Sequence, residues 1–305
     1  MACRVSVAAL VRRQAKPSNA SFTMHPQTMN TSQTERALQF QSLHATGPGF
    51  VVANPWDVGS ARLLALAGFK ALASTSAGYC FSNGMPDFSA SREPVLTHLA
   101  ALASATDLPL TADLEDGFGA TPKEVAETIR LAAAAGVVGA SVEDHSGVAG
   151  APLTDLAQAV DRVRAAVDAA RSMPFPFMVT ARAENFMLPQ PDLAATITRL
   201  QHYQDAGADV LFAPGITDPQ QIATLVRAVD RPVNLLISVP GMQLGVQQAL
   251  DLGVRRVSLG GSLARAAYGE LLRAVTELQT TGTLDYAAKA VPGARLNALF
   301  EPWRR

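Results

Sequence analysis

"LPLTADLEDGFGATPKEVAETIRLAAAAGVVGASVED", residues 108–144, contains one complete strand–helix–strand unit. Its first apolar run, LPLTAD (108–113), leads into Asp113, Glu115 and Asp116 and is broken by Gly117 and Gly119. Thr121-Pro122 followed by Glu124 then supplies an N-cap, a proline at the first helical position and an acid in the first turn. The helix expected near 121–135 stops at Gly136, where a left-handed residue is wanted. A second run, GASVED (139–144), follows and again ends in acids.

The same rhythm extends in both directions. Strands are expected at FVVAN (50–54), KALAST (70–75), FMVTAR (177–182), DVLFAP (209–214), VNLLIS (233–238) and RVSLG (256–260), besides the two above. Helices are expected near 57–67, 91–106, 154–171, 191–206, 218–229, 242–252 and 262–278, besides 121–135. Asp218-Pro219 repeats the capping device, and Gly68, Gly207 and Gly253 repeat the terminator. Eight strands alternating with eight helices imply a parallel sheet. That count, in about 250 residues, favours a closed (β/α)8 TIM-type barrel over an open doubly wound sheet. No GxGxxG follows the first strand, which also weighs against a dinucleotide fold. Residues 31–305 are read as one barrel domain, with the C-terminal LFEPWRR packing on a neighbouring subunit or the barrel base.

The chain has 305 residues, 48% hydrophobic and 17% charged, with a formal net charge of -1, an ordinary globular balance. Near-neutral charge argues against a dedicated nucleic-acid or membrane-surface binder. Cys3 and Cys80 lack any pairing or zinc spacing, which fits a reducing compartment. Before Glu35 there is no acid, yet Arg4, Arg12, Arg13 and Lys16 are present. That composition is transit-peptide-like and would place the protein in mitochondria. The preferred reading of residues 1–30 is a disordered extension or a mis-assigned start, with Met24 or Met29 as the real one, and a cytoplasmic protein.

In a barrel the C-terminal strand ends share one face, and that face carries chemistry. Here the ends hold Asn54, Ser74-Thr75-Ser76, Asp113 with Glu115, Glu143-Asp144-His145, Arg182 with Glu184, Asn234, and Gly260-Gly261-Ser262, after strand interiors that read as almost wholly apolar. Carboxylates with few histidines suggest a hard cation, with Mg2+ first and Mn2+ as a substitute. Asp113 and Glu115 would project to one side if strand alternation persisted, while Asp116 would face away. An EF-hand reading of DLEDGFGATPKE fails, because Phe118 stands where the invariant glycine is needed. "SLGGSLARA" at strand eight could bind phosphate at a helix N-terminus, but a tight strand-to-helix turn accounts for it equally well.

"STSAGYCFSNGMPD" (74–87), "ADLEDGFG" (112–119), "SVEDHSG" (141–147) and "TARAE" (180–184), in order and at strand ends, resemble the isocitrate lyase / phosphoenolpyruvate mutase superfamily from about residue 35 to the end of strand eight. The resemblance implies a barrel whose last helix is swapped with a neighbour in a tetramer, or a dimer. It implies Mg2+ and a small 2-oxo or 2-hydroxy acid as ligands. Ser74, Thr75 and Ser76 match the loop that holds the substrate carboxylate. Asp87 matches an aspartate near the reacting group. Asp113, Glu115 and Glu143 match the metal's acids, Arg182 the substrate clamp, and Asn234 a polar residue on strand seven. Such a site stabilises an enolate that C–C cleavage, decarboxylation or P–C cleavage can generate.

The departures narrow this. Lyases of the family carry a Lys-(Lys/Arg)-Cys-Gly-His segment after the strand-four acid, whereas this chain reads EDHSGVAGAPLTD. Cys80 lies in another loop and reads as a small buried thiol. His145 is the candidate proton donor in place of the missing cysteine. Strand six ends in Ala213-Pro214-Gly215, where relatives offer Glu or His. A Mg2+-dependent C–C lyase or decarboxylase of small di-acids is therefore expected. The alternatives are a phosphonopyruvate-type P–C mutase or hydrolase, and a 2-oxo acid binding protein without turnover.

Overall fold

Eight short parallel strands run β1 (Phe50–Val52), β2 (Leu72–Ala73), β3 (Leu110–Asp113), β4 (Gly139–Glu143), β5 (Met178–Arg182), β6 (Val210–Phe212), β7 (Val233–Leu236) and β8 (Arg256–Ser258) in a computed structural model that describes residues 31–148 and 150–304. The expectation for residues 1–30 lies outside the described residues. Strand order is β1-β8-β7-β6-β5-β4-β3-β2, so β1 pairs with β8. The last seam is held by a single parallel bridge between Ala53 and Leu72, with the Ala73 N–H donating to the Ala53 carbonyl at 3.0 Å. This is the expected (β/α)8 barrel, and every strand falls inside its expected run.

Eleven α-helices are described: α1 (Gln33–Ala45), α2 (Val58–Leu66), α3 (Ser76–Ser82), α4 (Arg92–Ala103), α5 (Pro122–Ala134), α6 (Leu156–Arg171), α7 (Leu193–Asp205), α8 (Pro219–Arg227), α9 (Val246–Asp251), α10 (Ser262–Thr280) and α11 (Gly293–Phe300). The start signals act as read. Thr121 and Glu124 form a reciprocal capping box on α5, and Asp218 Oδ1 accepts from the Gln220 and Gln221 N–H groups at 2.8 and 2.9 Å. Leu99 of α4, Ile129 of α5 and Leu200 of α7 are fully buried between helices and sheet. α9 starts four residues later than expected, because Gly241 (φ +86°) turns the chain and Gly245 is the N-cap. α11 packs on α2 of the same chain, where Arg62 lies 5.1 Å over the Trp303 ring. α10 leaves Leu271, Leu272, Val275 and Leu278 exposed.

α1, unforeseen from sequence, closes the base of the barrel. Its Ser32–Glu35 capping box fixes its start, and Phe40 and His44 sit buried against Phe50 with ring centroids 4.7–6.3 Å apart. The His44 Nδ1 lies 2.8 Å from the Phe40 carbonyl, and its Nε2 lies 3.4 Å from Arg256 NH1. Burial first, and the neighbouring Arg256 second, pull the His44 pKa down to about 3 from 6.5. The unfolded chain binds this proton near pH 6.5 and the folded chain only near 3, so between those values the unfolded state holds more protons and stability falls as pH falls. Relative to His44→Gln, the wild type should lose about 1.4 kcal/mol of stability per pH unit below 6.5. Urea unfolding at pH 5 and pH 7 measures this, and equal slopes in the two proteins would remove His44 as the cause.

Candidate active site

β3 delivers Asp113 to the barrel mouth and β5 delivers Arg182. The Asp113 N–H donates to Ser74 Oγ at 2.8 Å, and its Oδ2 accepts the Ser76 N–H at 3.0 Å. Arg182 gathers three carboxylates. Its NH1 lies 3.1 Å from Asp113 Oδ1 and 2.8 Å from Glu143 Oε2, and its Nε and NH2 both lie 3.0 Å from Glu184 Oε1. The Glu143 contact is an ion pair without hydrogen-bond alignment, so both Glu143 carboxylate oxygens remain without a hydrogen bond. The Phe212 ring lies 5.2 Å from the guanidinium carbon.

One guanidinium cannot neutralise this cluster. Burial, then the charges of Asp113 and Asp87, push Glu115 up to about 7. Burial likewise holds Glu143 well above the ordinary carboxylate range, against the pull of Arg182. Burial also raises Asp87, which accepts the Phe88 N–H at 3.0 Å. Burial opposes the Arg182 charge, but Glu143, Glu184 and Asp113 outweigh it and raise its pKa. A cation added here offsets the repulsion among these acids.

Does the site fit a metal? Glu115 Oε1 and Glu143 Oε1 are buried without hydrogen-bond partners, while Glu143 Oε2 already faces Arg182 NH1 at 2.8 Å; the two unpartnered oxygens are what acids suited to a cation or its waters look like. Among the described residues no three His, Cys, Asp or Glu side chains converge as a direct ligand cage. That combination suits Mg2+, which takes one or two carboxylates and keeps waters and substrate oxygens for the rest.

A cavity of about 220 Å³ opens at the mouth. Of the expected site residues, Ser74, Thr75, Ser76 and Asp87 line it from the β2 side, and Asp113, Arg182 and Asn234 from the other strands. Glu115, Glu143 and His145 are not among the residues that line it. The alternation expected past Asp113 does not hold: β3 ends there, Glu115 takes φ +50° and Gly117 φ +89°, so the chain turns instead of extending. A Cβ on Gly117 would also meet Val125 Cγ2 at 3.0 Å. Asp116 lies outside the cavity lining and pairs with Arg162 NH2 at 3.5 Å. The Thr75 hydroxyl caps α3 by accepting the Gly78 N–H at 3.3 Å. The His145 ring stacks on Phe88 at 5.2 Å. Cys80 is a buried free thiol, raised by burial.

Three features go beyond the roles expected from the sequence. Glu184, within the quoted TARAE, grips Arg182 from inside the cavity lining. Asp144 anchors Glu184 from behind: its Oδ1 accepts the Glu184 N–H at 2.8 Å, and its Oδ2 accepts Tyr203 OH at 2.6 Å and Arg199 NH1 at 3.1 Å. Finally, the barrel interior is not apolar. Thr111, Ser141, Asn234, Arg256 and Ser258 line the cavity below the rim. The period-two alternation in LTAD, GASVE and RVS carries this signal. At strand eight, Asn54 Oδ1 accepts the Leu259 and Gly260 N–H groups at 2.9 Å, and Gly260 takes φ +51°, so the Gly-Gly pair serves a tight turn.

Residues 40–279 match the phosphoenolpyruvate phosphomutase family. A crystal structure from Burkholderia cenocepacia J2315, provisionally described as a lyase/mutase, is 53% identical, covers 88% of this chain and 96% of its own, and superposes with a TM-score of 0.86. The 2-methylisocitrate lyase of Salmonella typhimurium is 34% identical over 195 residues, 58% of this chain and 65% of that protein. Oxaloacetate acetylhydrolase in complex with the product oxalate is 25% identical, covering 88% of this chain and 95% of its own, with a TM-score of 0.78. Phosphonopyruvate hydrolase, in complex with oxalate and Mg2+, shares the fold at 23% identity and TM-score 0.79, over 88% of this chain and 96% of its own.

Proposed function

We propose that this chain, which belongs to the phosphoenolpyruvate phosphomutase family, uses Mg2+ to cleave a C–C bond of a small 2-oxo or 2-hydroxy diacid. The observation that carries the reading is the cluster of acids around one arginine, with Glu115 Oε1 and Glu143 Oε1 buried and unpartnered. Asp113, Glu115 and Glu143 would hold the ion, directly or through its waters. When bound, Mg2+ supplies fixed positive charge for the enolate that bond cleavage leaves on the pyruvate-like fragment. Arg182, pinned by three carboxylates, adds a preorganised guanidinium at the same place. Ser74, Thr75 and Ser76, which line the cavity, would receive the substrate carboxylate, and Asp87, which lines it with Asp113, would act near the reacting carbon. His145, whose ring lies 5.2 Å from that of the cavity-lining Phe88, is the proton donor to test first.

Oxalate in the oxaloacetate acetylhydrolase complex supports a small-acid site on this barrel. The exposed Leu271, Leu272 and Val275 of α10 support self-association, as a tetramer or dimer. No helix among the described residues is long and apolar enough to cross a membrane, and the buried free Cys80 fits a cytoplasmic setting.

The test is a screen of 2-oxo and 2-hydroxy diacids with EDTA, Mg2+ or Mn2+. At least one diacid should be cleaved with Mg2+, and EDTA should lower the rate at least about 100-fold. His145→Ala should cost about 100-fold or more if that ring moves the proton; an unchanged rate removes it from the mechanism. Tight 2-oxo acid binding with no turnover of any diacid would sink the enzymatic reading.

A further inference from the structure

Below the acidic rim lies a second guanidinium with a different environment. Arg256 opens β8, is 4% exposed and lines the cavity. Its Nε donates to Asn234 Oδ1 at 2.9 Å, its NH2 to Thr180 Oγ1 at 3.0 Å, and its NH1 lies 3.4 Å from His44 Nε2. All three acceptors are neutral, since burial keeps His44 uncharged at neutral pH. Among the described residues no carboxylate pairs with Arg256. The contrast with Arg182, which has three, is complete.

A buried cation held only by neutral groups is costly, and one that faces a cavity is completed by an anion entering that cavity. A guanidinium has five N–H donors, and three are engaged here, so one N–H on each terminal nitrogen is left for a ligand. The depth also fits. Thr180 stands two residues before Arg182 on β5, one pleat repeat or about 6.6 Å deeper along the strand. An anion on Arg256 therefore sits one step below the rim where the reacting end of the substrate is held. The Asn234 amide is fixed between Arg256 Nε and Ser258 Oγ (3.0 Å), so it orients the guanidinium in place.

We infer that Arg256 is the receptor for the second carboxylate of the substrate, and that it selects diacids over monoacids by binding the far end on the cavity floor. This rests on the small-diacid reading above and assigns the residue that distinguishes the acid's two ends. Asn234 is then a positioning residue for Arg256.

Calorimetric binding to the whole protein with Mg2+ present tests it, using three probes: oxalate, which needs only the rim; malate; and lactate, which is malate's shorter monoacid counterpart. The wild type should bind malate at least about tenfold more tightly than lactate, the size of one charge-assisted carboxylate–guanidinium contact. Arg256→Gln should collapse that ratio to within about threefold while leaving oxalate affinity within about threefold of wild type. Arg256→Lys should keep part of the ratio, because it retains the charge without the fork. Equal malate and lactate affinities in the wild type overturn the inference without any variant, so a poorly folding Arg256→Gln does not shield it. An unchanged ratio in folded Arg256→Gln overturns it too, with oxalate binding showing that the rim reading stands. Failure of the wild type to bind oxalate with Mg2+ overturns both.

Discussion

Arg182→Met is expected to destabilise the barrel by about 3–5 kcal/mol at pH 7 and to abolish turnover. Arg182 is the only cation in contact with Asp113, Glu143 and Glu184 among the described residues, at 2.8–3.1 Å. Glu143 and Glu184 have side chains 1% and 6% exposed, so water cannot replace the guanidinium. Removing it leaves like charges facing one another in a low-dielectric site, and both carboxyls must rise further above the usual range. The pH dependence separates this from simple loss of packing. In the variant the folded state holds protons on these acids at pH values where the unfolded state has lost them. Stability then rises as pH falls, and the deficit relative to wild type shrinks between pH 7 and pH 5. Arg182→Lys should recover part of the stability and little activity, since an ammonium cannot reach three carboxylates with the fork's geometry. Urea unfolding of the three proteins at both pH values is the measurement. A Met variant within about 1 kcal/mol of wild type at pH 7 would contradict the network of ion pairs around Arg182.

Strand and helix positions in residues 108–144 are legible in the sequence, because hydrophobic runs, Thr121-Pro122 and Gly136 act within a few residues of one another. Asp113 and Arg182 are legible too, because a charge at the end of a buried strand is costly to desolvate and stays there only where something offsets it. α1 is not, although Ser32 and Glu35 spell its capping box, because its partner surface is made by distant strand starts. Alternation gives Glu115 the wrong geometry, since it extends the strand past the residue where β3 stops. The role of Asp144 is hidden because its partners, Arg199 and Tyr203, lie 55 and 59 residues away. Arg256 is hidden for a different reason. It begins a strand beside Arg255, and only the fold shows that Arg255 reaches outward to the Gly47 carbonyl while Arg256 turns into the barrel.

Asp113→Asn is expected to lower Mg2+-dependent turnover about 100- to 1,000-fold and to weaken Mg2+-dependent oxalate binding in parallel. Of the acids matched to the metal, Asp113 is the one that lines the cavity, and its carboxylate is already fixed by the Ser76 N–H and Arg182. The amide removes a full negative charge. It also turns an NH2 group toward one of those two donors, so the side chain must rotate away from Ser76 or from the guanidinium. The fold should survive, because Glu143 and Glu184 still hold Arg182 and β3 keeps its pairing with β4. Asp116→Asn is the matched comparison three residues on. Its side chain is 41% exposed, and Arg162 also binds the Asp116 and Gly119 carbonyls. Losing that charge should therefore change turnover by less than about threefold. Both variants lower the local negative charge by the same amount, so a general field effect predicts similar losses. A large loss confined to Asp113→Asn assigns the effect to contact at the cavity, and comparable losses in both would sink that assignment.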